Sequence, residues 1–277
     1  MDISMDMIKE LKERSGAGIV DCKNVLKETD GNIDEAADIL RKKGLSKADK
    51  KADRAAKEGL VVHKMSADNK KGLVIKLNCE TDFVAKTEKY QNFCSEAADL
   101  VFSKNYPFST ELPADLDELR RNTIAKVGEN ILVSEWAYID AKGVLFPYIH
   151  LAKVGVIADF IFGKDISKDD DTQQFMKNIA MQITAMKPLG VTTDDIPADV
   201  VAKEKEIYME EARATGKPEP VIEKIAEGKL KKFFEEAVLL EQFYILDEEK
   251  RMKDIVAEFS KSKGVDVKVA SFIRINL

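Results

Sequence analysis

Two similar segments lie about 83 residues apart in the chain, and this internal repeat constrains the fold more than any other feature. Gly72-Leu73-Val74-Ile75 aligns with Gly155-Val156-Ile157-Ala158 at an offset of 83 residues, and Phe93 aligns with Phe175 at an offset of 82. In both copies, short apolar runs typical of buried strands precede a longer stretch with the 3.6-residue period of a helix. The repeat therefore predicts one core of two similar lobes, each an antiparallel sheet with a helix.

The apolar pattern also predicts where the two lobes begin and end. From Gly59 the apolar period changes to two, and we assign 59–134 to the first lobe and 135–277 to the second. In the second lobe we expect strands at 136–139, 144–150, 154–162 and 238–246. The last residues of the chain alternate strictly, which predicts a half-buried strand that closes the sheet. Its inward side would carry Val265, Val267, Val269, Ile273, Ile275 and Leu277.

Residues 1–44 have the pattern of a small domain of three short helices. The first helix stops at Ser15-Gly16-Ala17-Gly18, and the third ends at Arg41-Lys42-Lys43-Gly44, where basic residues suit the negative end of a helix. This pattern resembles the ubiquitin-associated type of domain. Residues 45–58 combine alanines with basic residues, and we interpret them as a solvated linker without a contact role. The basic residues are Lys47, Lys50, Lys51, Arg54 and Lys57.

A highly charged stretch at 188–233 is predicted to form an antiparallel hairpin of two helices. Pro188 and Pro197 precede the first helix, and Thr215-Gly216-Lys217-Pro218 forms the turn. The apolar residues of the two helices suffice for a seam between them but bury too little surface for a core element. We therefore expect the hairpin to project from the core, and the whole chain to have an α+β fold.

The composition argues against several classes of function. Charged residues make up 34% of the 277 residues, and the formal net charge is −6, whereas a nucleic-acid-binding protein usually presents a basic face. The apolar runs are too short for a transmembrane helix, and the charged start does not resemble a signal peptide. We therefore expect a cytoplasmic protein that contacts neither a membrane nor nucleic acid directly.

The residues that usually form enzyme sites give little support for catalysis. Cys22, Cys79 and Cys94 form no CxxC pair, and without an export signal they are expected to be reduced thiols. His63 and His150 are the only histidines and lie far apart in the sequence, which argues against a zinc site. No GxxxxGKS or GxxxxGKT phosphate-binding motif occurs. We therefore expect no catalytic residue, no cofactor and no bound metal.

One segment, residues 78–84, joins a predicted buried strand to a predicted helix. Its sequence is Asn78-Cys79-Glu80-Thr81-Asp82-Phe83-Val84. Side chains at such a junction project from a rigid base, and a carboxylate beside a large ring is unusual there if packing is its only purpose. Two interpretations stay open from the pattern alone. Either Asp82 caps the helix and Phe83 lies in the core, or both side chains serve a function.

Two motifs in this order resemble a known family. Thr81-Asp82-Phe83-Val84 preceded by Asn78-Cys79, and Ser-Gly-Ala-Gly-x-x-Asp-Cys-Lys at 15–23, are similar to the translation elongation factor Ts family. The resemblance extends from the N-terminus to Phe272-Ile273-Arg274. Members of that family are guanine-nucleotide exchange factors for elongation factor Tu. The resemblance implies a factor, not an enzyme, that binds elongation factor Tu–GDP, disturbs its magnesium and phosphate site and promotes GDP release.

The resemblance also implies how the motif acts. Asp82 and Phe83 would form a wedge that displaces the partner's magnesium, and Thr81 and Val84 would shape it. The partner would contribute its G domain and a second domain. The hairpin at 188–233 would support a homodimer or a 2:2 complex, because the family uses this element for dimerisation or partner contact.

Further partner contacts are predicted on both sides of the motif. Leu11, Ile19 and Val20 flank the Gly16-Ala17-Gly18 turn, and we expect them to contact the partner's G domain, although they could instead form the core of so small a domain. His150 ends a predicted strand at the partner-facing edge of the second lobe, where a purely structural role is the alternative. Two other classes stay open: an adaptor built on the N-terminal domain, and an interaction protein built on the hairpin.

Overall fold

A computed structural model of the chain describes residues 3–277, with all side chains except those of residues 45–47 and 49. Within this part of the chain the fold is α+β, as the sequence predicts. A three-helix unit is followed by two three-stranded antiparallel sheets, by helices that cover the outer face of each sheet, and by a helical hairpin. None of the described helices has the length and apolar character needed to cross a membrane.

The N-terminal unit consists of α1 (Met5–Ser15), α2 (Ile19–Glu28) and α3 (Ile33–Asp49). The Ser4 side chain caps α1, and Gly16 ends it with a left-handed φ of 66°. The predicted stop at Gly44 is wrong, because α3 continues to Asp49. Gly44 is instead a packing residue: a Cβ at this position would lie 2.9 Å from the Ala125 Cβ.

The first sheet has the order β1-β2-β3, formed by β1 (Glu58–Met65), β2 (Lys71–Cys79) and β3 (Ile131–Asp140). Two helices, α5 (Glu88–Lys104) and α6 (Ala114–Val127), cover its outer face. We predicted a strand at 136–139 in the second lobe, but β3 pairs with β2 and belongs to the first sheet. The reason is Trp136, which is buried in the first core and donates its indole N–H to the Tyr106 carbonyl at 2.9 Å.

The second sheet has the order β4-β5-β8, formed by β4 (Val144–His150), β5 (Val154–Phe162) and β8 (Val267–Asn276). The helices α7 (Asp170–Met186) and α10 (Met252–Lys263) cover its outer face. The C-terminal strand closes this sheet as predicted, and it pairs with β5. The prediction that its apolar residues share one side is wrong: Val267 and Val269 pack in the core with α7 and α10, whereas Ile273, Ile275 and Leu277 pack between the two sheets. The side changes because the pairing of β5 with β8 has a register shift between Asp159 and Phe160.

The predicted strand at 238–246 is wrong for most of its length. It forms a 3₁₀ turn, Leu239–Glu241, and a short strand, β6 (Phe243–Tyr244), which pairs with β7 (Asp247–Arg251). The run is apolar because Leu239 is buried in the second core. Its backbone N–H groups bond the 190–191 segment instead of a sheet, since the Leu239 N–H donates to the Gly190 carbonyl at 2.9 Å.

The two sheets pack face to face, and the repeated segments meet at their centre. β2 and β5 are the middle strands of their sheets. A Cβ at Gly72 would lie 2.7 Å from Cδ1 of Ile157, and a Cβ at Gly155 would lie 2.7 Å from Cγ1 of Val74. The absence of a side chain at each glycine thus leaves room for an apolar side chain of the opposite sheet. The two contacts are equivalent, because Gly72 aligns with Gly155 and Val74 aligns with Ile157 in the repeat. This reciprocal contact supports the duplication predicted from the sequence.

The hairpin consists of α8 (Ala198–Arg213) and α9 (Glu219–Ala237). Gly216 makes the turn with a φ of 69°. The seam between the helices buries Ala212, Ile222 and Ala226, and Lys229 forms an ion pair with Glu211 across it. The helices contact chiefly each other, so the hairpin has the projecting form predicted for it.

Candidate functional site

The segment after β2 is a short, doubly capped turn. The chain leaves β2 at Cys79 and enters α4 (Asp82–Ala85), a helix of one turn. Thr81 is its N-cap, because its backbone is extended and its hydroxyl accepts a hydrogen bond from the Val84 N–H at 3.3 Å. Thr87 caps α5 in the same way. Caps on both sides therefore hold the backbone that carries Phe83.

Phe83 projects from this turn into solvent. Its side chain is 78% exposed, whereas Ala85 on the same helix is buried. The interpretation that Phe83 lies in the core is therefore wrong, and the capping residue is Thr81 instead of Asp82. A phenylalanine in water forgoes the burial that stabilises apolar side chains. This site thus keeps a large apolar surface free on a well-fixed backbone.

Asp82 places a negative charge next to the exposed ring. Its carboxylate pairs with the Lys86 ammonium at 2.7 Å, one helical turn later. The hydrogen bond from Lys86 lowers the pKa of the Asp82 carboxyl, so the group is ionised at neutral pH. Because about half or more of each side chain is exposed, the pair contributes little to stability. Because about half of the Asp82 side chain is exposed and Lys86 bonds only one carboxylate oxygen, the carboxylate can also accept a hydrogen bond from another molecule.

Glu129 holds the turn from the other side. Its carboxylate accepts two hydrogen bonds from Thr81, at 2.9 Å from the backbone N–H and at 2.6 Å from the hydroxyl. Glu129 is half-buried and lies between α6 and β3, 48 residues from Thr81 in the sequence. Hydrogen bonds to an ionised acceptor are short and strong compared with neutral ones. The first residue of the motif is thus fixed by a carboxylate.

Buried polar groups fix the end of β2 beneath the turn. The Tyr90 hydroxyl donates to the Leu77 carbonyl at 2.7 Å. The Asn78 amide donates to the Glu58 carbonyl at 3.2 Å and accepts from the Ser134 hydroxyl at 2.6 Å, which ties all three strands of the sheet together. These bonds give the motif a rigid base.

The cysteines do not form a reactive site. Cys22, Cys79 and Cys94 are buried free thiols. Burial raises the pKa of the Cys79 thiol to about 11 and that of the Cys94 thiol to about 12, so both stay protonated at neutral pH, where the thiolate is the reactive form. In the described part of the chain, moreover, no three His, Cys, Asp or Glu side chains group together in a way that could hold a metal.

In the N-terminal unit, the three predicted contact residues differ in exposure. Ile19 and Val20, in the first turn of α2, are 50% and 71% exposed. Leu11 is fully buried, so the prediction that it contacts a partner is wrong. It lies three residues after Ile8 on the inner face of α1, and both pack in the core of the unit. Ile19 and Val20 remain predicted contact residues.

His150 is the last residue of β4, as the sequence predicts, and its side chain is exposed; its contact with a partner stays a prediction. Its Nδ1 is 3.2 Å from the Tyr148 hydroxyl oxygen. The next residue, Leu151, is 80% exposed and has a φ of 50°, which is uncommon for a residue other than glycine. Leu151 was not predicted from the sequence, because a single leucine after a strand is not distinctive.

The start of β1 runs beside both exposed groups. Glu58 pairs with Cys79 at the end of β2, just before residues 80–85, which we call the Phe83 turn. Three residues later, the Val61 N–H donates to the Ala152 carbonyl at 2.8 Å, next to Leu151. The Phe83 turn and the His150–Leu151 turn therefore flank the same end of the molecule.

Comparison with known proteins identifies the family. The family model described as Elongation factor TS matches residues 80–277. Elongation factor Ts of Aquifex aeolicus (strain VF5) is 40% identical over 292 residues, which cover 100% of this chain and 98% of that one. Elongation factor Ts of Hydrogenobaculum sp. (strain Y04AAS1) is 41% identical over 280 residues, which cover 97% of each chain. The chain belongs to the elongation factor Ts family.

Membership of the elongation factor Ts family confirms the resemblance found in the sequence and supports a role in translation elongation. The matched range begins at Glu80 and so includes the exposed turn at 81–84. The three-helix unit lies before that range, but the Aquifex aeolicus relative aligns with the whole chain and therefore covers this unit too.

Proposed function

We propose that this protein is a guanine-nucleotide exchange factor that binds elongation factor Tu–GDP, disturbs its magnesium and phosphate site and promotes GDP release. The exposed Phe83 ring on a clamped turn carries the proposal. Aromatic side chains that fill a pocket at the centre of an interface often dominate its binding energy. Membership of the elongation factor Ts family supports elongation factor Tu as the partner.

The proposed mechanism is mechanical and uses no catalytic residue of this chain. A GTPase holds its nucleotide partly through a Mg²⁺ ion that bridges phosphate oxygens and requires nearly octahedral geometry. Insertion of the Phe83 ring beside that site would shift the partner's backbone and disturb this geometry. Asp82 would accept a hydrogen bond from a partner donor next to the ring. The affinity of the partner for GDP then falls.

Thermodynamic linkage makes this mechanism reversible without an energy source. If the factor weakens nucleotide binding, nucleotide weakens factor binding by the same ratio. GTP arriving from solution therefore expels the factor and leaves the partner loaded. The factor therefore needs only a moderate affinity for the partner with nucleotide and for the partner without it.

Two further regions would contact the partner. Ile19 and Val20 would dock on its G domain, because they are exposed apolar residues at the start of a helix. His150, together with Leu151, would meet a second domain of the partner on the same end of the molecule as Phe83, because the neighbouring Ala152 carbonyl bonds Val61 of β1. Such a spread of contacts would hold the partner while Phe83 acts on one site.

The hairpin formed by α8 and α9 would support a homodimer or a 2:2 complex. Ile207 and Val221 remain 38% and 40% exposed on it, which leaves apolar surface for a second copy. Replacing 198–226 by a short flexible turn should leave a folded, monomeric protein. Sedimentation equilibrium of both forms with the partner decides between a 1:1 and a 2:2 complex.

A nucleotide-release assay with elongation factor Tu tests the proposed function. The chain is titrated into elongation factor Tu loaded with fluorescent GDP, with excess unlabelled GDP present. We expect release to accelerate and to saturate with factor concentration. The acceleration should shrink when EDTA removes Mg²⁺ beforehand, since part of the factor's action has then already been achieved. Binding to nucleotide-free partner without faster release would instead support an interaction protein.

A further inference from the structure

Residues 128–130, between α6 and β3, contact two parts of the molecule that are distant in sequence, residues 80–81 and residues 51–54. Glu129 clamps Thr81 through two hydrogen bonds. Its neighbour Asn130 is fully buried and donates its backbone N–H to the Glu80 carboxylate at 2.7 Å. Two successive residues thus hold Glu80 and Thr81, which directly precede the helix that carries Phe83.

The same segment also binds the chain that leads from the N-terminal unit. The Asn130 side-chain amide donates to the carbonyl of Arg54 at 2.7 Å and to that of Ala52 at 3.1 Å. The Lys51 ammonium donates to the Gly128 carbonyl at 2.5 Å. The Arg54 guanidinium lies 3.6 Å from the Glu80 carboxylate. The interpretation of 45–58 as a linker without contacts is therefore wrong for 51–54.

The N-terminal unit itself packs against the helix that ends at this segment. Gly44 of α3 meets Ala125 of α6, and Arg41 pairs with Glu118 at 3.1 Å. The last residue of α6 is Val127, directly before Gly128. A continuous path of contacts thus connects α3, residues 51–54, residues 128–130 and the Phe83 turn.

We propose that Glu129 and Asn130 are positioning residues for exchange: they hold the Phe83 turn stiff and tie it to the segment that carries the N-terminal unit. The inference rests on the proposed function and deepens it. A side chain that displaces part of a partner must be held in place itself, because a mobile turn would move instead of the partner's backbone. A site held by supporting hydrogen bonds keeps its geometry, and a shift of about 1 Å can cost on the order of a hundredfold in rate.

The structure offers variants that separate this role from a purely stabilising one. Glu129→Ala removes both acceptors of Thr81, and Glu129→Gln keeps a single acceptor oxygen at similar size. Glu135→Ala is the matched control, because Glu135 pairs with Lys76 on the surface of the same sheet at 3.0 Å and takes no part in the turn. All three variants remove one negative charge.

The first measurement is hydrogen exchange of the free protein, which needs no partner. Amides at 80–87 should exchange faster in Glu129→Ala than in wild type, and Glu135→Ala should match wild type there. Asn130→Ala should also speed exchange at 51–54. Unchanged exchange at 80–87 in Glu129→Ala would overturn the inference, whatever the partner assay shows.

The second measurement is factor-stimulated GDP release, separated into the maximal rate at saturation and the factor concentration at half-saturation. We expect Glu129→Ala to lower the maximal rate about tenfold and to change the half-saturation concentration by less than about threefold. Glu129→Gln should fall between Glu129→Ala and wild type. A normal maximal rate in Glu129→Ala would overturn the inference, as would a loss that merely follows the unfolded fraction. Failure of the wild type to stimulate release would instead overturn the proposed function, and this inference with it.

Discussion

The junction between the central strand and the following helix differs between the two lobes. After β2 the chain forms α4 and leaves Phe83 in solvent. After β5 the last aromatic residue, Phe162, is partly buried and stacks on Phe160 with centroids 6.2 Å apart. The chain then continues through Gly163, whose N–H donates to the Asp266 carbonyl at 2.8 Å.

This difference indicates which features of the first junction the architecture requires. Both lobes fold with a three-stranded sheet and covering helices, and the second lobe does so with its junction aromatic packed inward. An exposed ring and a carboxylate clamp from 48 residues away are therefore not needed to connect such a strand to such a helix. They are additions to the first lobe, as expected if they serve a partner.

The largest effect is expected for a core aromatic residue of the second lobe. Phe160 is fully buried and contacts the Phe175 ring edge-on at 6.3 Å. Phe160→Ala should lower the free energy of unfolding by about 3–5 kcal/mol, because it leaves a cavity in the second core. Thermal and urea denaturation would measure the loss. A stability close to wild type would show that the second lobe does not depend on inward packing at this position.

The next effect compares equivalent aspartates, which lie 83 residues apart. Asp82→Asn should slow stimulated GDP release by about ten- to a hundredfold, since a charge-assisted hydrogen bond to the partner is lost. Asp165 accepts hydrogen bonds from the N–H and hydroxyl of Ser167 within its own loop. Asp165→Asn should therefore leave release within about twofold of wild type. Equal losses in both variants would contradict the distinction between the junctions.

A smaller effect is expected where the N-terminal unit meets the partner. The double change of Ile19→Ala with Val20→Ala should raise the half-saturation concentration about tenfold without lowering the maximal rate, because docking holds the partner but does not act on its nucleotide. Met5→Ala is the control, since Met5 is 60% exposed on the same unit. If the double variant lowers only the maximal rate, these residues do not dock.

The smallest effect is expected at the edge of the second lobe. His150→Ala should weaken partner affinity by about threefold or less, as is typical of a contact at the rim of an interface. Tyr148→Phe removes only the hydroxyl that faces His150 Nδ1 and should have no effect on affinity. Isothermal titration with the nucleotide-free partner would measure both. An affinity unchanged in His150→Ala would remove His150 from the proposed interface.

Local patterns predicted the elements of the fold, but not all of their partners. The hairpin, the C-terminal strand and the duplicated strands follow from apolar period and turn residues, which act over a few positions. β3 pairs with β2 because Trp136 is buried in the first core, where its indole N–H bonds the Tyr106 carbonyl. This burial depends on residues distant in the sequence, so the local pattern around Trp136 does not predict it. A glycine after basic residues, such as Gly44, is equally consistent with the end of a helix and with a close contact between two helices, and the sequence alone does not distinguish these roles.

The candidate site, like the fold, could be predicted only in part. The motif at 81–84 was evident from sequence, but its exposure was not, because a phenylalanine beside a strand end packs inward in many folds. Glu129 and Asn130 gave no sequence signal at all. Their role depends on a contact between residues about 50 positions apart, and an isolated Glu-Asn pair before a strand occurs in many loops.

The most direct test of the account measures stability and exchange on one preparation of Phe83→Ala. Because the ring is 78% exposed, the melting temperature should stay within about 2 °C of wild type. Stimulated GDP release should slow by about ten- to several-hundredfold, as expected for the loss of a central aromatic contact. Phe108→Ala, which removes a half-exposed ring that contacts Trp136 and takes no part in the turn that carries Phe83, should keep normal release. A large fall in melting temperature with normal exchange by the folded fraction would contradict the account.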